Sequence, residues 1–170
     1  MFGARLTIYM RIRRHWLSVR AIGPRGGIAQ VEGLARAASR EARGSALEVV
    51  AVGEEATALE GVEGVTIHDA FCHPRVIIGG FDAAQLVAGG FLRQICAGGN
   101  RWLRFRLIIH PQDDLEGGLT DIEERALKEL GLRLGASRVI VYQGAAELGD
   151  DALVALGALP RLDSAPPARL

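Results

Sequence analysis

The sequence predicts a single α/β domain in which helices flank a mixed, five-stranded β-sheet. Two observations support this prediction. Residues 5–22 alternate apolar and polar side chains with the two-residue period of a β-hairpin, and helical and strand-like segments alternate after residue 80. The 170 residues are 49% hydrophobic with 22 Gly and 6 Pro, which suits one core made of short elements and excludes a disordered linker.

The first half of the chain indicates an antiparallel meander. Apolar residues at alternate positions define strands over residues 6–12 and 16–22, which turn near residues 13–15. Residues 28–38 have a spacing that fits neither a helix nor a strand cleanly, and we favour a third strand there. Residues 46–52 form a short apolar run, and residues 54–59 favour one or two helical turns.

The second half predicts alternating helices and strands. Residues 76–78 are a short strand candidate, and residues 81–97 carry the apolar spacing of an amphipathic helix. A strand is expected over residues 102–109. Thr120 then opens a helix, because Glu123 follows at the spacing of a capping box. The residues expected on the buried face of this helix are Ile122, Ala126, Leu130 and Leu134.

The chain is expected to end with a strand over residues 138–142 and a short helix over residues 151–159. Strands joined through a helix pair in parallel by right-handed crossovers, so the predicted order is that of a ribonuclease-H-like domain. We predict one domain over residues 1–159 and a flexible, proline-rich tail over residues 160–170.

Cellular location and redox state are predicted from what the sequence lacks. It contains no uninterrupted apolar stretch of about 18 residues and does not open with a signal peptide, so we expect a cytoplasmic protein. Cys72 and Cys96 lie in apolar segments outside any C-x-x-C spacing. They are therefore predicted to be reduced thiols in the core rather than a disulfide or a zinc site.

The charges are distributed unevenly, although the net charge is zero. Residues 1–43 contain nine Arg but only two acidic residues, Glu32 and Glu41, so the remainder of the chain carries the opposite excess. A basic end of this kind favours an anionic lipid, nucleic acid or the acidic part of a second copy. Simple solvation of basic strands is an equally weighted alternative.

Four segments together resemble MreB, the actin-like rod-shape-determining protein family of bacteria. They are residues 50–56 (VAVGEEA), 76–85 (VIIGGFDAAQ), 119–126 (LTDIEERA) and 135–143 (GASRVIVYQ). These segments are similar to the family's A-V-G-x-E-A, V-I-A-D-F-D-x-x-E, A-T-x-V-E-R-R-A and G-A-R-E-V-Y-L-I-E. The resemblance covers about residues 5–150 and implies the fold of the first actin-like ATPase subdomain only.

The residues that would bind nucleotide differ from the family pattern. In actin-like ATPases the first hairpin contains D-x-G-T, and the corresponding Asp, Gly and Thr positions here are Tyr9, Arg11 and Ile12. The family's second half, with its own phosphate hairpin, also has no counterpart in this sequence. We therefore expect a degenerate nucleotide site, no cofactor and no enzymatic activity. Gln143 falls where actin places its water-orienting Gln, and we interpret it as a remnant.

Other catalytic chemistries have little support. His68, Cys72 and His73 are close in sequence, but no fourth ligand follows at zinc-site spacing. A ribonuclease-H-type nuclease would need a carboxylate on the first strand, which offers none, so the acidic loop at residues 113–116 does not define a metal site. No nucleophile elbow or Walker motif is present. We therefore assign no catalytic or metal-binding residue.

The remaining candidate site is a surface. Arg11, Arg13, Arg14 and Trp16 are predicted to cluster at the tip of the first hairpin, where they would bind a partner. A charged strand edge that prevents aggregation is the alternative interpretation. Leu153, Leu156 and Leu159 are expected to leave apolar surface for self-association or a protein partner.

The sequence thus favours a non-catalytic, actin-like scaffold or interaction protein, a structural subunit of a larger bacterial assembly. Peripheral contact with the anionic inner membrane is a further option. The alternatives are a small ATPase that completes its site by oligomerisation and a basic nucleic-acid-binding module. Only the charge asymmetry supports the last of these, so nucleic acid is the least favoured partner.

Overall fold

The computed structural model describes residues 6–23, 26–42, 46–96, 105–113 and 117–158, which form two β-sheets and four helices. The strands are β1 (Thr7–Arg13), β2 (Trp16–Gly23), β3 (Gly26–Leu34), β4 (Arg36–Glu41), β5 (Leu47–Val52), β6 (Thr66–Asp69), β7 (Arg106–Pro111) and β8 (Arg138–Val141). The helices are α1 (Glu54–Ala58), α2 (Phe81–Cys96), α3 (Asp121–Arg133) and α4 (Asp150–Ala158).

The main sheet has five strands in the order β3-β2-β1-β7-β8. Strands β1, β2 and β3 form an antiparallel meander, whereas β7 pairs in parallel with β1 and β8 pairs in parallel with β7. This arrangement confirms the predicted mixed sheet, because α3 provides the crossover that parallel pairing of β7 and β8 requires. As a result, the carboxyl ends of β1, β7 and β8 meet at one edge.

A second, three-stranded sheet has the order β5-β4-β6, which the sequence did not reveal. The predicted third strand is in fact two strands, because the chain bends at Ala35, whose backbone N–H bonds to His15 O at 2.9 Å. The prediction of a strand over residues 76–78 is wrong. There, His73 Nδ1 and Glu123 Oε1 accept the N–H groups of Val76 and Ile77, in place of a neighbouring strand.

The core lies mainly between the main sheet and helices α2 and α3. On α3 the buried stripe runs through Leu127, Leu130 and Gly131. The predicted burial of Ile122 is wrong, because its side chain is 79% exposed. At 100° per residue, Ile122 lies roughly 130° around the helix from the centre of that stripe.

The predicted start of α3 is confirmed, and local contacts close both of its ends. Thr120 Oγ1 accepts from Glu123 N at 3.2 Å, and Glu123 Oε2 accepts from Thr120 N at 3.0 Å, so the capping box is complete. At the other end Gly135 has φ 93°, and bonds from Ala136 N to Gly131 O and from Gly135 N to Leu132 O form a Schellman motif. Helix α3 is therefore held at both termini by local contacts.

The opposite face of the main sheet packs against α4. Leu153 is fully buried there and packs with Tyr9, Ile22 and Ile108. The expectation that Leu153 contributes exposed apolar surface is therefore wrong, and Leu156 is half-buried against the same cluster. Leu159 and the predicted tail at residues 160–170 lie outside the described residues, as does the side chain of Cys96.

Carboxylates contact both ends of strand β3, which forms one edge of the main sheet. Asp150 Oδ2 accepts from Gly27 N at 3.1 Å, and Glu54 Oε1 accepts from Leu34 N at 3.4 Å. A register shift opposite Ala21 and Ile22 adds a bulge near the start of β3. Among the described helices, none combines the length and apolar character needed to cross a membrane.

Candidate functional site at the carboxyl ends of the central strands

The candidate site lies where the parallel strands β1, β7 and β8 end. In open α/β sheets this edge is where ligands usually bind. A cleft of about 410 Å³ opens there, between the end of β7, the start of α3 and the segment after β8. Its lining residues are His110, Pro111, Gln112, Asp113, Gly118, Leu119, Gln143, Gly144 and Ala145.

A buried chain of hydrogen bonds forms the floor of this cleft. His110 on β7 is 1% exposed, with Tyr9 Oη 2.5 Å from its Nδ1 and Gly144 O 2.8 Å from its Nε2. A carbonyl oxygen can only accept a hydrogen bond, so Nε2 of His110 carries a proton. The Nδ1 of a neutral His110 then accepts a hydrogen bond from the Tyr9 hydroxyl. Leu148 N donates to the same Tyr9 oxygen at 3.3 Å.

Burial favours the neutral forms of both side chains and outweighs the opposing effect of the hydrogen bonds to Gly144 and Leu148. Burial lowers the pKa of His110 below its ordinary value and raises the pKa of Tyr9. The Tyr142 ring packs edge-on against His110, with ring centroids 4.8 Å apart. A Cβ at Gly144 would overlap the Tyr142 ring, so a larger residue there would force the Tyr142 side chain to move. The floor is thus a neutral aromatic cluster rather than a cationic site.

A second cluster connects the strand β1 to the loop before α4. Arg11 Nη1 donates to Glu147 Oε1, and the same oxygen accepts from Arg13 Nη2 at 3.5 Å and Gln112 Nε2 at 3.3 Å. The Arg11 hydrogen bond is the main reason that the pKa of Glu147 lies below its ordinary value. On its other side, Arg11 Nη2 lies 3.5 Å from Glu32 Oε2. The two guanidinium groups are therefore neutralised within the chain.

Three of the four predicted partner-binding residues come together in the structure. Arg11 and Arg13 lie over the ring of Trp16, each with its guanidinium carbon 5.4 Å from the ring centroid. Arg14 is exposed in the adjacent turn, and no contact of its side chain is found among the described residues. Arg11 is only 14% exposed, whereas Arg13 is 52% exposed. A partner could therefore reach Arg13 and Arg14 directly.

Sequence patterns did not reveal His110, Gln112 and Glu147. Glu147 lies 136 residues from Arg11, in a loop without a recognisable motif. The Pro111 that follows His110 is typical of a strand end, and this position is the only sequence signal for His110. Gln143, which the resemblance singled out, is exposed and lines the cleft.

The residues considered for metal binding have separate structural roles. His68 Nε2 lies 2.7 Å from Ser39 Oγ, while His73 Nδ1 accepts from Arg75 N and Val76 N at 3.2 Å each. Cys72 is a half-buried free thiol. Across the part of the chain that the structure describes, no three His, Cys, Asp or Glu side chains are grouped to hold a metal ion.

The strand order and flanking helices define the ribonuclease-H/actin-like ATPase subdomain fold. The chain is similar to the crystal structure of MreB5 of Spiroplasma citri bound to ADP, with a TM-score of 0.53 and 17% identity. It is also similar to the AMPPNP-bound MreB 5 of the same organism, with a TM-score of 0.51 and 20% identity. Each match covers 82% of this chain and 38% of the other.

These comparisons establish an MreB-like, actin-like fold for this chain, which spans just over a third of the length of the matched proteins. No family model and no curated protein sequence matches it. The likeness therefore concerns the fold, and the two matched structures contain ADP and AMPPNP, respectively.

Proposed function

We propose that this protein is a non-catalytic, actin-like interaction domain, a structural subunit of a larger bacterial assembly in the cytoplasm. One observation carries the proposal: the end of β1, where the resemblance puts a phosphate-binding hairpin, has Tyr9 and Arg11 bonded to the protein's own groups. Tyr9 contacts His110, and Arg11 contacts Glu147. Both side chains are thus engaged within the protein, at positions where the resemblance puts the Asp and Gly of the phosphate-binding hairpin.

The chemistry of the cleft also argues against phosphate binding. Phosphate sites use backbone N–H groups, unpaired cations or a bound metal to balance the charge of the ligand. The cleft is lined by Asp113, while Arg11 and Arg13 bond to Glu147. An added phosphate would meet a carboxylate and a neutral histidine, so we expect no productive ATP binding.

Isothermal titration calorimetry with ATP and Mg²⁺ tests this proposal. We expect no heat of binding at micromolar nucleotide, at both low and high protein concentration. The high concentration is included because a small ATPase that completes its site by oligomerisation would bind ATP only there. Micromolar affinity for ATP in either titration would contradict the proposal. Gln143 would then become the candidate for orienting the attacking water.

In this proposal, the domain works through a protein partner or a second copy, and its basic tip provides the contact. The basic tip consists of Arg13, Arg14 and Trp16, in which the Arg13 guanidinium lies over the indole ring and Arg14 is exposed in the adjacent turn. Arg and Trp are enriched among residues that dominate interface energies. The alternative for the same basic tip is a peripheral contact with the anionic lipids of a membrane surface.

A further inference from the structure

We propose that Arg11, Arg13 and Gln112 form a carboxylate cradle, which Glu147 fills in the free protein and an acidic segment of a protein partner fills in the complex. This inference rests on the proposed function, because it assigns the ligand chemistry and the regulation of the basic tip. The loop at residues 143–149 is then an autoinhibitory contact. The bound carboxylate of Glu147 shows which ligand group the cradle accepts.

The geometry of the cradle suits a single carboxylate oxygen. Glu147 Oε1 accepts from Arg11, Arg13 and Gln112 at once. The amide of Gln112 is oriented for this role, because its Oε1 accepts from Arg13 Nε at 3.0 Å. Charge-assisted bonds from several donors to one oxygen are the strong class of hydrogen bond.

The charge of the cradle favours a carboxylate over a phosphate. Two guanidinium groups provide two positive charges, and Glu32, 3.5 Å from Arg11, offsets one of them. The remaining single positive charge matches one carboxylate, whereas a phosphate group carries nearly two negative charges at neutral pH. An acidic protein segment therefore fits the site better than a lipid phosphate does.

The loop that carries Glu147 has contacts that permit exchange. At one end of the loop, the Gly144 carbonyl oxygen accepts a hydrogen bond from His110. At the other end, Leu148 N donates a hydrogen bond to the Tyr9 hydroxyl. Residues 145–147 between these anchors are exposed. Within the described structure, the Glu147 carboxylate makes the only side-chain hydrogen bonds found in this middle portion. Glu147 is half-exposed, so water already reaches the pair that a partner would have to replace.

The test measures binding of a fluorescein-labelled decaglutamate peptide by anisotropy, with a decaglutamine peptide as the uncharged probe. The variant Glu147→Gln removes the competing carboxylate and keeps the side-chain shape. We expect it to bind decaglutamate about two- to tenfold more tightly than the wild type, the range for losing one or two half-exposed ion pairs. Glu55→Gln removes an exposed carboxylate from α1 and should leave the affinity unchanged.

Each other outcome overturns the inference. Equal or weaker binding by Glu147→Gln means that Glu147 does not compete for the cradle. If, in that case, an Arg13→Glu, Arg14→Glu double variant no longer binds the decaglutamate that the wild type binds, the basic tip is still the binding surface. The proposed function then stands, although the inference about Glu147 does not. Absence of decaglutamate binding in all variants rules out a carboxylate ligand. If Glu147→Gln instead strengthens binding only to phosphatidylglycerol vesicles, the ligand is a lipid phosphate.

Discussion

The guanidinium of Arg11 on β1 donates a hydrogen bond to the carboxylate of Glu147, 136 residues further along the chain. The basic first segment and the acidic remainder of the sequence are thus matched inside one molecule. Arg20 on β2 and Asp150, the first residue of α4, form a second ion pair of the same kind. The charge asymmetry therefore helps to hold α4 against β1, β2 and β3.

The basic tip gives the first prediction, that replacing Arg13 and Arg14 together by Glu weakens partner binding without unfolding the domain. Both side chains are exposed, so the fold does not depend on burying them. A native pull-down at low and high salt measures the effect, since salt screens exposed charges over about 10 Å at 0.1 M. Unchanged recovery of the partner by the double variant at both salt concentrations would place the interface elsewhere.

The repulsion between neighbouring arginines does not by itself demand an external anion. Glu147 contacts both Arg11 and Arg13, so the chain provides the counter-charge itself. The choice of this tip as the partner surface therefore depends on Arg14, Trp16 and the reachable half of Arg13, and it remains a prediction.

The second prediction concerns pH. Burial lowers the pKa of His110 below 6.5, so in mildly acidic solution the unfolded chain binds a proton that the folded protein resists. The stabilising contribution is therefore complete above pH 6.5, decreases as the pH falls below that value, and is lost at the folded-state pKa. Urea denaturation between about pH 5 and 7 should show this decrease.

The variant His110→Gln checks the origin of that slope. It should be less stable at neutral pH by about 1–3 kcal/mol, because buried hydrogen bonds are disturbed, but its stability should vary less with pH in the same range. An unchanged slope in His110→Gln would mean that another group titrates. Glu147 contributes separately, below pH 4.5, since its pKa is lowered.

The third prediction tests the start of α3. Thr120→Ala removes the hydroxyl that accepts from Glu123 N and should lower the free energy of unfolding by about 1 kcal/mol. Thr66→Ala, on an exposed position of β6, should change it by less than about 0.5 kcal/mol. Chemical denaturation of the two variants gives the comparison, and an equal midpoint for Thr120→Ala and wild type would contradict the capping role.

The fourth prediction compares two helical glycines. A Cβ at Gly131 on α3 would lie 2.5 Å from Val139 Cγ2 and 3.0 Å from Leu107 Cδ2. Gly131→Ala should therefore cost about 1–3 kcal/mol through overpacking, despite the higher helix propensity of Ala. A Cβ at Gly89 on α2 would make an ordinary 3.5 Å contact with Leu134, so Gly89→Ala should be neutral or stabilising by up to about 1 kcal/mol. A higher thermal unfolding midpoint for Gly131→Ala than for Gly89→Ala would refute this packing argument.

Local patterns explain why much of the fold could be predicted. The hairpin β1–β2, helix α2 and the capped helix α3 each have a periodicity or an end signal within a few residues. By contrast, β6 consists of Thr-Ile-His-Asp, which lacks such a pattern and becomes a strand only by pairing with β4. Its identity depends on tertiary contact rather than on propensity.

Only the part of the candidate site that lies on the first hairpin could be predicted from the sequence. Arg11, Arg13, Arg14 and Trp16 are neighbours in sequence, so their clustering could be expected from a hairpin. His110, Gln112 and Glu147 join them through the parallel pairing of β1 and β7 and through the return of the chain to α4. A single sequence gives no indication of contacts that span 99 or more residues, such as that between Arg13 and Gln112.

The carboxylates at the two ends of β3 also limit how copies of this domain can associate. A neighbouring strand that extended the sheet past β3 would have to displace Asp150 from Gly27 and Glu54 from Leu34, and would bring its own backbone against both negative charges. It would also have to follow the bulge near the start of β3. Growth of the main sheet past β3 is thereby disfavoured, so a second copy is expected to associate through another surface.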